Sequence, residues 1–166
     1  MLNTAHHSFI DKRCGLYDCT FFNEIISHEI ARAKRSKKMM SLVAIRPKNE
    51  NLLNNVQILA SLSHLIQSCI HREIDLATFT EQNAFVIALF DSDENGCECV
   101  VKRLAESLKL FELNMHELTG ESTGLDLGIL YVLPTAMTSS EELIRLSTDI
   151  AQTDNSTISR AYHPNH

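Results

Sequence analysis

The sequence has no tryptophan, only five glycines and three prolines, and 6% aromatic residues. So little glycine and proline leaves few tight turns, and the chain reads as long regular elements with short connections. No apolar run reaches the roughly 18 residues a spanning helix needs. The opening residues, MLNTAHHSFIDKR, lack a basic start followed by an apolar stretch, so they read as no secretory leader. Five cysteines are an odd number, and none has CxxC spacing: Cys14 and Cys19 are five apart, Cys97 and Cys99 two apart. The expectation is a reduced, cytoplasmic protein with buried or incidental thiols. Eight histidines are present, but His6, His7, His163 and His166 sit in the tails, and no HExxH or paired Cys/His spacing occurs, so no metal site is expected. Basic residues are the scarcer charge, 15 against 21 acidic, for a net charge of −6. That balance excludes general binding to a nucleic-acid backbone but leaves room for a local basic pocket facing a small anion.

What is present is ordinary globular material: 166 residues, 44% apolar and 22% charged. A chain of this length forms one domain that buries roughly 70% of its unfolded surface. Residues 1–10 read as a tail. Asp18 or Thr20 caps a helix running to about Lys37, whose Phe22, Ile25, Ile26, Ile30 and Ala33 make one apolar stripe. Arg32, Lys34, Arg35, Lys37 and Lys38 gather at its end, where the helix dipole favours cations; the cluster reads as a solvated helix end. Met39–Ile45 is a buried strand. Residues 52–70 form a second helix with Leu53, Val56, Leu59, Ala60, Leu62, Ile66 and Ile70 at helical spacing, and His64 and His71 read as packed or boundary residues.

Ile74–Thr80 and Ala84–Phe90 read as two strands of a hairpin around Glu81, Gln82 and Asn83. A third helix covers about 97–110, with Val100, Val101, Leu104 and Leu108 inward, and 111–123 stay ambiguous. Leu125–Leu133 is a further strand. Thr138-Ser139-Ser140-Glu141-Glu142 offers a capping box for a last helix over 140–152, which packs Leu143, Leu146 and Ile150. A hairpin in the middle of the order rules out a simple parallel βαβ series. The expectation is an α+β fold: a ferredoxin-like core whose mixed central sheet is flanked by helices.

Several of these segments together resemble the diguanylate cyclase, or GGDEF, domain. Asp11-Lys12-Arg13-Cys14-Gly15-Leu16-Tyr17-Asp18 is similar to that family's opening DxLTGLxN, with Phe22 at its aromatic position. Arg72-Glu73-Ile74-Asp75, five residues, and then Glu81-Gln82-Asn83-Ala84-Phe85 match the spacing from the family's RxxD to its GG(D/E)EF signature, of which only the Phe survives. Leu125-Asp126-Leu127-Gly128-Ile129 resembles its vSiGv strand and Glu141-Glu142-Leu143 its sEEL helix start. The resemblance implies a nucleotide-cyclase palm with about five strands, a domain over 11–154 and a terminal strand or tail over 155–166.

The family joins two GTP molecules into cyclic di-GMP with two carboxylate-held metals. Here the first metal Asp falls on Ala44 or close by, and the third signature residue is Asn83, whose amide lacks the charge that holds Mg²⁺ beside a triphosphate. Glu81 and Gln82 replace two glycines that let backbone approach the nucleotide, and Glu81 repels phosphate. The guanine-contacting NDxxGH stretch is missing, and no Lys stands near Asp154. The expectation is a catalytically dead domain with no metal and no cofactor.

The family's RxxD is the inhibitory site that binds cyclic di-GMP. By that resemblance Arg72 offers a planar fork to a guanine edge or phosphate, and Asp75 accepts from guanine N–H groups. Arg103, 18 residues past Phe85, falls at the place of the family's second Arg, with Lys102 and His71 in support. The competing reading of Arg72 and Asp75 is a surface salt bridge worth at most about 1 kcal/mol. Three functions follow. The first is a cyclic di-GMP receptor that signals to a protein partner, with a homodimer through Arg103 compatible. The second is a nucleotide-independent interaction module. The third is a residual enzyme using Asp126, Glu117 or Glu121, which read better as exposed acids. Cys14 carries no feature that would activate its thiol.

Overall fold

The computed structural model describes residues 9–120, 123–135, 138–153 and 158–162. The expected tail over 1–8, Glu121, Asp154 and the four terminal histidines His6, His7, His163 and His166 lie outside the described residues. The elements run α1 (Cys19–Ser36), β1 (Met40–Pro47), a 3-10 turn (Leu52–Asn54), α2 (Val56–Cys69), β2 (Leu76–Phe79), β3 (Phe85–Phe90), α3 (Glu94–Thr119), β4 (Leu125–Val132), α4 (Ser140–Thr153) and β5 (Ile158–Tyr162). They form one five-stranded sheet in the order β2-β3-β1-β4-β5. All neighbours are antiparallel except β4 and β5, which are parallel. This mixed α+β sheet with its helices is the fold expected from the sequence. Among the described residues no helix is long and apolar enough to cross a membrane.

Both faces of the sheet are covered, which is why its central strands read as unbroken apolar runs rather than alternating ones. Val43, Ile45, Ile87, Leu89, Ile129 and Tyr131 pack with Leu62 and Ile66 of α2 and Val101, Leu104 and Leu108 of α3. Met40, Leu42, Ala44, Val86, Ala88 and Leu130 pack on the other side with Phe22, Ile26 and Ile30 of α1 and Leu143, Ile144 and Ala151 of α4. Asp18 caps α1 by accepting from Phe21 N, and Ser139 accepts from Glu142 N at the head of α4.

Several boundaries differ from expectation. The second helix starts only at Val56, capped by Asn55, so Val56 (64% exposed) and Ala60 leave the expected stripe, and His64 and His71 are exposed. The ambiguous 111–123 stretch is mostly helix, because α3 continues to Thr119 and stops at Gly120 with φ 73°. Leu113 and Leu118 there, and Leu110 just before, are exposed while Phe111 packs on the core, which blurred the periodicity. Phe9 and Ile10 are not part of a free tail: Phe9 packs on Phe21, and Ile10 bridges Tyr17, which in turn bridges Thr78 of β2. The opening motif thus covers the outer edge of β2. Beyond Asp154, Ile158–Tyr162 adds the fifth strand to the same sheet.

Two contacts fix the far side of the sheet. Gly128 lies where α4 crosses β4, and a Cβ there would meet Ala151 N at 2.5 Å and Ser147 O at 2.7 Å. On the opposite face Arg160 of β5 forks onto Glu98 of α3 (2.6 and 2.9 Å), while Tyr131 Oη donates to the same carboxylate. The guanidinium first, then the phenol, hold the Glu98 carboxyl down at about 2, from an ordinary 4.5.

Gly128→Ala is expected to cost about 2–3 kcal/mol, because backbone rather than a flexible side chain must move; an unchanged urea midpoint would refute this packing. For Glu98 the folded value is depressed, so the clasp contributes fully above pH 4.5 and is lost as pH falls toward 2. Both partners are more than a third exposed, which limits the ion pair to about 1 kcal/mol. Glu98→Gln is expected to lower stability at pH 7 and to narrow that deficit progressively below pH 4.5 in acid unfolding curves.

Candidate functional site

The open end of the β2–β3 hairpin carries the RxxD residues. Asp75 stands just before β2, with its side chain 2% exposed, and Arg72 stands three residues earlier at 45%. Arg72 donates from Nε to Asp75 Oδ2 and from Nη2 to Asp75 Oδ1, both at 2.7 Å. Nη2 also reaches Phe90 O (2.7 Å) and Ser92 Oγ (2.8 Å). Asp75 Oδ1 further accepts from Phe90 N at 3.2 Å. The Asp75 carboxylate, ahead of all else, pushes the Arg72 guanidinium further up. The pair is therefore a half-buried strut between the two strands of the hairpin, not the surface salt bridge considered from sequence. The Asp75 carboxylate faces inward, where it orients Arg72. Among the described residues Nη1 has no partner, and the outer face of Arg72 opens on a cleft of about 340 Å³ with Lys38, Met39, Asp91, Ser92, Asp93 and Gly96.

Of the other expected residues, Arg103 and His71 meet the end of α2. Arg103 donates from Nη2 to Cys69 O at 3.0 Å, three residues before Arg72, while its Nε is buried without a partner among the described residues. It shares Arg72's neighbourhood but does not line that cleft. His71 is exposed with Nε2 at 3.0 Å from Ser68 O, and Lys102 is exposed on α3. Sequence reading missed Lys38 and Ser92. Lys38 reads from sequence as part of a solvated helix end, yet the β1–β3 register, Met40 opposite Phe90, brings it beside Arg72. Only the pairing of two distant strands carries that signal.

The turn end of the same hairpin borders a larger cleft of about 780 Å³ on the α1/α4 face. Thr80 N donates to Ala84 O and Asn83 N to Thr80 O, and Asn83 adopts φ 56°, which closes a three-residue loop. Glu81 and Gln82 line the cleft with Cys19, Thr20 and Asn23 of α1, Arg46 of β1, and Glu141, Arg145, Thr148 and Asp149 of α4. The family's pair of metals does not fit this donor set. Ala44 is a fully buried methyl group, Asn83 is spent on the turn, and an arginine enters the cleft two residues past Ala44. Among the described residues no three His, Cys, Asp or Glu side chains gather to hold an ion.

Of the acids nominated from sequence, Glu121 lies outside the described residues, and neither Glu117 nor Asp126 lines either cleft. Glu117 is exposed on α3; Asp126, opposite Arg46 on β4, is half-buried 3.7 Å from Lys48 Nζ, and burial raises its carboxyl. Burial also raises the thiols of Cys14 and Cys19, and that of Cys97 to about 11. Cys14 and Cys97 are buried core sulfurs, while Cys19 is half-buried on α1 and borders the hairpin cleft with a thiol that burial makes a poorer nucleophile.

Comparison with known proteins agrees with this architecture. No curated protein matches the chain. Among solved structures, diguanylate cyclase SiaD of Pseudomonas aeruginosa, solved with its activator SiaC, superposes with a TM-score of 0.75 at 14% identity, over 94% of this chain and 62% of that one. The present chain thus spans less than two thirds of SiaD. The FimX GGDEF domain from Pseudomonas aeruginosa gives 0.69 at 19% identity over 94% and 99% of the two chains. The GGDEF domain of DgcB from Caulobacter crescentus, solved with c-di-GMP, gives 0.66 at 12% over 92% and 95%. The sequence profile described as "Diguanylate cyclase, GGDEF domain" matches residues 8–154, and the chain therefore belongs to the GGDEF domain family.

Proposed function

We propose that this domain makes no cyclic di-GMP and instead binds it, acting as a cytoplasmic receptor that passes the second messenger's signal to a protein partner. The observation that carries this reading is Arg72: the buried Asp75 fixes it, its Nη1 has no partner among the described residues, and it lines a cleft with Lys38. A pre-oriented guanidinium loses little freedom on meeting a guanine edge or a phosphate. Arg103 at the end of α2 and the exposed Lys102 next to it in sequence add positive charge for the ligand's phosphates, with His71 in support. The loss of synthesis rests on Ala44 and Asn83, which supply no carboxylate, and on Arg46, which brings a cation into the hairpin cleft. The DgcB domain solved with c-di-GMP and SiaD solved with its activator support ligand and partner respectively. A homodimer sharing the ligand through Arg103 is compatible with this reading.

A second reading has its own observation. Arg72 is already bonded to Asp75, Phe90 O and Ser92 Oγ, so a purely structural strut accounts for RxxD without any ligand. The domain would then be a nucleotide-independent interaction module.

Isothermal titration separates the two. Cyclic di-GMP is expected to bind the native domain, and Arg72→Lys, which keeps a cation beside Asp75 but loses the planar fork, is expected to weaken binding by about 30-fold, near 2 kcal/mol. Arg103→Ala is expected to weaken it less, by about 3- to 10-fold. Absence of heat with the native domain would favour the interaction module. Incubation with GTP and Mg²⁺ or Mn²⁺ is expected to yield no cyclic di-GMP; product formation would overturn the inactive assignment.

A further inference from the structure

The hairpin cleft has features that neither metal-dependent synthesis nor the Arg72 site uses. Arg46 enters it from the end of β1, half-buried and with no ion-pair or hydrogen-bond partner among the described residues. On β4, directly opposite, Asp126 lies instead by Lys48. Across the cleft the Oδ1 of Asn23 is a buried acceptor without a partner among the described residues. The remaining cation, Arg145, is bound to Asp149 at 3.1 Å. Glu81 and Glu141 complete the charged lining, and Thr80 Oγ1 accepts from Ala84 N at 3.4 Å, which leaves its proton free to donate.

We propose that this cleft is a metal-free binding site for a small hydroxylated compound carrying one anionic group. The unspent guanidinium of Arg46 pairs with the anion, and a planar fork suits a phosphate monoester or a carboxylate equally. Asn23 Oδ1, Glu81 and Glu141 are acceptors, so the rest of the ligand must donate, as hydroxyl groups do. The same acids set an upper limit on charge. With Arg145 already neutralised by Asp149, one free cation faces two free carboxylates, and a triphosphate is repelled. The volume of about 780 Å³ lies within the range of small-molecule sites. With Ala44 where the family holds its metal and Arg46 two residues further on, the cleft suits a single anion rather than a metal–triphosphate. This site is independent of the Arg72 reading, and either can fail alone.

The test is titration of the native domain with ribose 5-phosphate and with gluconate, which distinguish the phosphate and carboxylate sources, and with Mg²⁺–GTP, followed by backbone amide NMR. At least one of the two probes is expected to saturate with shifts confined to residues around Asn23, Arg46 and Thr80. Arg46→Gln is expected to weaken that probe at least tenfold and Asn23→Val several-fold, while both variants keep the native circular dichroism and their affinity for cyclic di-GMP. Failure of both probes to bind at about 10 mM would overturn the proposal, as would tighter binding of Mg²⁺–GTP. So would an affinity unchanged in a folded Arg46→Gln domain; if that variant unfolds, an unchanged affinity in Asn23→Val serves the same purpose.

Discussion

Burial of both sheet faces governs where anything polar can happen in this domain. β1 and β3 are almost wholly enclosed, with α2 and α3 on one side and α1 and α4 on the other. Their side chains are committed to packing, so ligand chemistry is confined to the strand ends and the connections that leave them. The β2–β3 hairpin has two such ends. One holds Arg72, Asp75 and Ser92, the other Glu81, Gln82 and Asn83. The six residues of β3 set them roughly 17 Å apart, at about 3.4 Å per residue.

The Arg72–Asp75 pair shows how a motif residue is divided between structure and recognition. A carboxylate with 2% of its side chain exposed must be paired. Arg72 supplies that partner, and the Phe90 N–H supplies a further bond. The arginine in turn is fixed at the mouth of the hairpin, with its outer edge toward solvent. Its position is set by burial of the neighbouring acid, and any recognition it performs uses only the part that burial leaves over.

Much of the architecture was legible because long apolar stripes and runs dominate it. The stripe Phe22, Ile26, Ile30, Ala33 marked α1, and the turn chemistry of Glu81-Gln82-Asn83 marked the hairpin. Legibility failed where an element's apolar residues face solvent, as at Leu110, Leu113 and Leu118 of α3, and was partial at Ile158–Tyr162, where a polar tail leaves strand and tail as equal readings. At the candidate site the spacing placed Arg72 and Asp75 together but could not show which way the carboxylate turns. Lys38, Arg46 and Asn23 join their clefts only through strand register and helix placement. No local pattern carries that information.

The most direct test of the account is NMR of the arginine side-chain Nε–H groups during titration with cyclic di-GMP. The account predicts saturable shifts at Arg72 and smaller ones at Arg103, with Arg46 unmoved. Shifts at Arg46 with none at Arg72, or no shift at any arginine, would contradict it.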